Sequence, residues 1–432
     1  MISSLRLPSL FVTLCALLTA CGDEPLPVLD GPTLPYDRSA FVVPPSQADA
    51  SNPEGHWPKA LRSVGMDHED ILVIRNTATE VNGKLGKVTF NLPLLSRITN
   101  QMCEPINRAP MIEPKAVLTQ ELAQLRQEGL ELDEVIVNVE LLTPKRTGIH
   151  HACLTGFGPS FFNPEHRAHV LRALRELAEV DEVSAVTVGV DLNAYYHLKD
   201  LSTERSYRWD YANLVTLYQE AYDEMKAVNS ELMIGPGFSW DLILNRTLPQ
   251  VAEELELSLE VSQEKDLALE VSLQRTVWSA LVTSTGELKA DFVGVSLTPN
   301  PSEAPFMGNV LEEQQPVINA HYEQVALMGA PLHPVDRSPL ELLPLAFPQV
   351  NWAQGGKHDA LARMKIALHH IQPLFVSWLR LSDLPTMPES NSICRIFTND
   401  PKSYPESFCS AGLFRSSGAA RDAWELFTTD PE

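Results

Sequence analysis

The chain has 432 residues, 44% of them hydrophobic and 21% charged, which excludes whole-chain disorder and allows one large domain or two ordinary ones. Its 33 Lys and Arg against 56 Asp and Glu leave a net charge of −23, which speaks against electrostatic docking on a nucleic-acid backbone or an anionic lipid surface. The strongly apolar run at the N-terminus ends by residue 20, too short for an ordinary spanning helix of about 20 apolar residues.

That run is an address. Arg6 gives a positive start, and Leu10, Phe11, Val12, Leu14, Ala16, Leu17 and Leu18 form the apolar stretch. It closes on Leu18-Thr19-Ala20-Cys21, then Gly22 and Asp23, which resembles the lipobox of bacterial lipoproteins. The resemblance implies a signal peptide over residues 1–20, acylation of Cys21 and a lipid-anchored place in the cell envelope. Gly22 in place of Asp after the cysteine points to the outer membrane. Of six cysteines, Cys15 falls in the leader and Cys21 is the lipid site. Cys103, Cys153, Cys394 and Cys409 remain, an even number that reads as two disulfides in an oxidising compartment, with three pairings open. No CxxC occurs, so a metal reading has little support, and nothing calls for a cofactor.

Residues 21–58 carry eight prolines from Pro25 to Pro58 and little apolar period, as in a semi-extended tether. Residues 59–432 form the body. Ile71–Ile74 is a first strand, and Val88-Thr89-Phe90 belongs to a second. Leu118, Leu122 and Leu125 mark a helix, and Val135–Val139 is a buried strand. Asn163-Pro164 reads as an N-cap with proline at N1, opening a helix through Val170, Leu174 and Leu177. Val186–Val190 is the fourth strand, followed by a long helix from Tyr211 to Met225 and a strand at Leu232–Gly235. An acidic helical insertion spans Val251–Leu273. Strands at Phe292–Ser296, Leu342–Phe347 and Leu374–Leu379 follow, the first two separated by a helix near Val317–Val325 and the last two by one at Leu361–Ile371. A final helix holds Ala420, Trp424 and Phe427.

Apolar strands alternating with amphipathic helices predict parallel strands covered by helices, and about eight such units fit a (β/α)8 TIM barrel with loop insertions behind the N-terminal extended linker. No glycine-rich phosphate loop follows the first strand, so dinucleotide binding loses its support. In a barrel, chemistry gathers at the C-terminal strand ends. There the sequence places Glu140 on the third strand, Asp191, Asn193, Tyr195, Tyr196 and His197 on the fourth, and Ser296 on the sixth. It places Gln349, Asn351 and Trp352 on the seventh and Trp378, Arg380 and Asp383 on the eighth. Carboxylates, amides and indoles at one mouth suit sugars, whose C–H faces stack on rings and whose hydroxyls pair with amides and carboxylates.

The run Val188-Gly189-Val190-Asp191-Leu192-Asn193-Ala194-Tyr195 resembles the fourth-strand motif of clan-A glycoside hydrolases. Ala290–Ser296 is similar to the clan's sixth strand, Phe375–Asp383 to its eighth, and Gly412-Leu413-Phe414 through Ala423-Trp424 to its closing segment. The departures decide the function. The clan's fourth-strand Asn-Glu pair, with Glu as acid/base, is here Val190-Asp191; Asp draws the carboxyl back by about 1.5 Å. Its seventh-strand Glu nucleophile falls at Gln349, a neutral amide. The resemblance therefore implies a sugar-binding cleft with weak or no hydrolysis. Asn193, Tyr195, Gln349, Trp352 and Trp378 would bind the polysaccharide, and the remaining acidic groups are Asp191, Glu140 and Asp383. The alternatives are an active hydrolase in which Asp191 pairs with Glu140 or Asp383, and an envelope scaffold without a sugar site. The barrel also favours Cys103–Cys153, in neighbouring mouth loops, and Cys394–Cys409, within the loop after the eighth strand.

Overall fold

Eight short strands run parallel and close on one another in chain order. The computed structural model describes residues 62–66, 86–93, 114–130, 134–142, 148–149, 160–198, 207–297, 343–350, 361, 365, 373–380, 412–413 and 420–428. The strands are β1 (Arg62–Met66), β2 (Lys87–Pro93), β3 (Glu134–Glu140), β4 (Val183–Val188), β5 (Met233–Ser239), β6 (Val293–Ser296), β7 (Leu345–Val350) and β8 (Val376–Trp378). Arg62 pairs with Val376 and Val64 with Trp378, which seals the barrel. The expected TIM-barrel class is the observed one.

Several boundaries differ from the sequence reading; the fifth strand, expected at Leu232–Gly235, runs Met233–Ser239, and the eighth, expected at Leu374–Leu379, is Val376–Trp378. The first strand is Arg62–Met66, while Ile71–Ile74 lies outside the described residues. β4 ends at Val188, because Gly189 and Asp191 adopt positive φ (74° and 58°) and break the extended run. β7 starts at Leu345 and continues through Val350. Residues 1–58, with the expected signal, lipid site and tether, lie outside the described residues, as do Cys103, Cys153, Cys394 and Cys409.

Helices cover the strands. They are α1 (Pro114–Gln127), α2 (Pro164–Leu177), the one-turn α3 (Asn193–Tyr196), α4 (Arg208–Val228), α5 (Trp240–Leu242), α6 (Leu248–Glu254), α7 (Ser262–Leu273), α8 (Ser279–Leu281) and α9 (Asp422–Thr428). Asn163 caps α2 as expected, its side chain accepting from the N–H groups of Glu165 and His166. Single π-turns, Ile243–Thr247 and Gln274–Trp278, join α5 to α6 and α7 to α8.

Alternation along each strand divides two layers. Val135, Val137 and Val139 of β3, Val186 and Val188 of β4, and Val376 and Trp378 of β8 face outward into the main core under the helices. Ile136, Ala185, Phe292, Ala346 and Phe375 meet inside the bore as a separate apolar plug. Gly235 belongs to that inner face: a Cβ there would lie 2.6 Å from the Phe292 ring, so only glycine lets β5 and the plug approach.

Candidate functional site

Above the apolar plug the inner face turns polar. Asn91 of β2 and Asn138 of β3 are register partners. The Asn138 amide donates to Asn91 Oδ1 at 2.9 Å and, across the bore, to the Pro348 carbonyl at 2.7 Å. Gln349 Nε2 donates to Asn91 Oδ1 at 3.1 Å, and the Asn91 amide donates to the Leu379 carbonyl at 3.1 Å. Thr187 of β4 and Ser296 of β6 occupy inward positions on the strands between. Among the described residues, Asn138 Oδ1, Thr187 Oγ1, Ser296 Oγ and Gln349 Oε1 are buried polar atoms with no hydrogen-bond partner. The bore thus carries a belt of neutral amides and hydroxyls. Sequence reasoning does not single out Asn91 or Asn138; the available signal is one amide inside the run Val135–Val139, where every neighbour is β-branched.

Gln349 reaches this belt through a bulge. Phe347 pairs with Val376 and Val350 with Trp378, so three steps on β7 match two on β8. Pro348, which has no N–H to give a ladder, sits in the extra step. Phe347 and Val350 both face the outer core, so Pro348 and Gln349 turn inward together. Gln349 is 0% exposed.

The carboxylates stand on the rims of the adjacent strands. Glu140 ends β3 in phase with Asn138 and is 2% exposed. Asp191 is 4% exposed. Its turn is pinned on both sides: Val139 O accepts from the N–H groups of Gly189 and Val190, and Gly237 O accepts from Leu192 N. Asp tolerates the left-handed conformation this turn imposes. The structure thus brings Glu140, Asp191 and Gln349 to the mouth end of β3, β4 and β7. Asp383 and Trp352 lie outside the described residues.

Three expected sugar contacts are placed elsewhere. Trp378 is in the outer core, edge-on to Phe427 of α9 at 6.4 Å, because strand alternation gives the bore side to Phe375 and Ser377. Tyr195 is buried between Phe161 and Tyr207 and donates to Asp210 at 2.5 Å. Burial and then the Asp210 charge hold its hydroxyl protonated, far above the ordinary tyrosine range. Asn193 clamps the end of β5, accepting from Ser239 N and donating to Ser239 O, each at 2.8 Å. Trp378 thus packs the outer core, while Tyr195 and Asn193 tie a loop and a strand end in place. Asp210 ties the loops together by also accepting from Phe161 N at 2.7 Å.

Beside the mouth, His197 contacts Thr247 at 2.8 Å. Burial, then Arg246 and Arg208, pushes its pKa down to about 4. Arg208 lies over the Tyr196 ring at 4.9 Å, and Glu254 bridges Arg208 and Arg275. Among the described residues, no group of three or more His, Cys, Asp or Glu is placed to hold a metal ion, and no helix is long and apolar enough to cross a membrane.

The closed ring of parallel strands under a helical coat, with polar groups at the C-terminal strand ends, is a (β/α)8 TIM barrel. Two solved structures it resembles make this concrete. The exo-β-1,4-mannosidase Op5Man5 from Opitutaceae bacterium strain TAV5 matches with a TM-score of 0.51 at 11% identity, over 85% of this chain and 58% of that one. A hyperthermophilic β-glucosidase mutant matches with a TM-score of 0.50 at 10% identity, over 84% of this chain and 87% of that one. This chain therefore spans little more than half of the mannosidase, and the likeness is one of fold. No family profile and no curated protein sequence matches the chain.

Proposed function

We propose that this protein is a lipid-anchored envelope protein whose barrel mouth binds a polysaccharide, with weak or no hydrolysis. The observation that carries this reading is Gln349. It stands bulged into the bore at the seventh strand and is held by Asn91, in a belt made of amides and hydroxyls. An amide cannot form the glycosyl-enzyme ester of a double displacement. The belt's oxygens and N–H groups suit a ligand rich in hydroxyls, and buried polar groups of this kind are costly when left without partners.

Glu140 and Asp191 favour one alternative. Two nearly buried carboxylates on adjacent strand rims could serve as the acid and base of an inverting hydrolysis, which needs a spacing of about 6.5–9.5 Å. Native gels cast with soluble β-1,4-mannan, xylan or mixed-linkage β-glucan, run beside reducing-end assays on the same polymers, separate the two. Retardation without released ends supports binding. Turnover abolished by Asp191→Asn supports the hydrolase, and a result with neither retardation nor released ends on any polymer overturns both. Gln349→Glu restores the carboxylate at the bulge and is expected to raise any trace hydrolysis.

The anchor rests on Leu18-Thr19-Ala20-Cys21. Wild type expressed in a Gram-negative host is expected in the detergent phase of a Triton X-114 partition and Cys21→Ala in the aqueous phase. Wild type in the aqueous phase would remove the anchor.

A further inference from the structure

Among the described residues, two large aromatic side chains stand out in solvent, and they stand together. Phe162 is 66% exposed and Trp209 is 51% exposed. Their ring centroids lie 6.3 Å apart with the planes at 65°. Phe162 directly precedes the α2 N-cap and Trp209 is in the first turn of α4. In a parallel barrel the helix following a strand starts at that strand's C-terminal end. Both rings therefore rise on the mouth face, on the two loops that leave β3 and β4, the strands bearing Glu140 and Asp191.

The mount is rigid. Phe161 turns inward onto Tyr195 at 4.9 Å, and its N–H is held by Asp210, the neighbour of Trp209. Its carbonyl accepts from Arg167, which also donates to the Asn213 carbonyl of α4. Asn163 is fixed by capping α2. The backbone before Phe162 is thus tied to the helix that carries Trp209, and the backbone after it to α2. Rings held this way lose little freedom when a ligand covers them.

We propose that Phe162 and Trp209 form an outer platform for a neutral polysaccharide chain that extends from the barrel mouth across the rim of the third and fourth units. This rests on the saccharide reading of the mouth and adds to it a second contact, away from the strand ends. Charge selects the occupant. A net charge of −23 opposes a second copy of the chain, an anionic membrane or an acidic polymer, whereas the C–H face of an uncharged pyranose meets an aromatic ring without electrostatic cost. Lying on the loops before α2 and α4 and not at the strand ends, the platform is expected to favour long chains over short ones seated in the mouth.

The test compares wild type, Trp209→Ala, Phe162→Ala and Trp209→Tyr on soluble β-1,4-mannan, xylan and mixed-linkage β-glucan, and on the disaccharides mannobiose, xylobiose and cellobiose. Thermal midpoints and sedimentation coefficients are measured alongside. Each alanine variant is expected to weaken polymer binding by about 3- to 10-fold and leave disaccharide binding unchanged, while Trp209→Tyr keeps most of the affinity. Unchanged polymer affinity in both alanine variants overturns the platform and leaves the mouth reading standing. Equal losses on polymer and disaccharide, or a sedimentation change showing that the rings join two copies, also overturn it. Failure of wild type to bind any polymer overturns the saccharide reading itself and the platform with it.

Discussion

His197 follows the Asp191 turn by six residues and has its ring nitrogen on Thr247 of the first π-turn. Burial and the nearby Arg246 and Arg208 charges disfavour the imidazolium, which lowers its pKa from 6.5 to about 4. In the unfolded chain the same ring titrates near its ordinary value. Between those two values the unfolded state binds more protons, so stability falls as pH drops from about 6.5 to about 4 and levels off below. The contribution is on the order of 1–3 kcal/mol. His197→Asn is expected to flatten this part of the stability–pH curve, leaving the steeper acid loss that begins as the carboxylates protonate. Denaturant midpoints measured at half-unit pH steps check it. A variant whose curve runs parallel to wild type between pH 6.5 and 4.5 would show that His197 does not supply this dependence.

Elements that bury one face were legible in the sequence, and elements that bury two were legible only in part. The leucine stripe of α1 and the Asn163-Pro164 start of α2 announce themselves by period and capping chemistry. β3 is visible as a β-branched run, yet such a run does not say which alternate residues face the bore. That ambiguity moved Trp378: nothing in Phe375-Val376-Ser377-Trp378 fixes the phase, and closure against β1 with α9 behind it gives the indole to the outer core. β1 has no apolar run at all, since Arg62 is buried through long-range contacts that include the Phe427 carbonyl of α9. The candidate site was legible where a backbone feature carried it. That legibility was partial: the sequence reading carried the fourth strand through Gly189 to Val190, although the positive φ of Gly189 and Asp191 ends β4 at Val188, and it stopped the seventh at Phe347, one residue short of Pro348, where β7 is disturbed. What the sequence could not show is that this disturbance is an inward bulge, because a bulge is a register fact between two strands 26 residues apart, as Val350 and Val376 are. Tyr195 and Asn193 escaped for a similar reason. Their partners, Asp210 and Ser239, lie on other elements, and short polar motifs after a strand look alike whether they face a ligand or a neighbouring loop.

For the whole molecule the critical seam is where the chain's two ends of the sheet meet. β1 and β8 share three register pairs, and α9, the last described helix, lies over that seam. Buried Arg62 donates to the Phe427 carbonyl at 3.3 Å, and Lys365 donates to the Leu426 carbonyl at 2.7 Å. Two cations thus sit at the C-terminal end of α9, where the helix dipole favours positive charge. The Phe427 ring is fully buried between Trp378 and Trp424, at 6.4 and 6.5 Å. Removing it leaves a cavity at the point of closure, where β8 has only three residues with which to hold its register. Phe427→Ala is therefore expected to lose about 3–5 kcal/mol, seen as a drop of roughly 4–6 °C in the thermal midpoint. Phe162→Ala removes the same ring from an exposed position and is expected to stay within about 0.5 kcal/mol of wild type. A Phe427→Ala protein as stable as Phe162→Ala would mean that the ring does not hold the seam and that the strand pairs close the barrel without it.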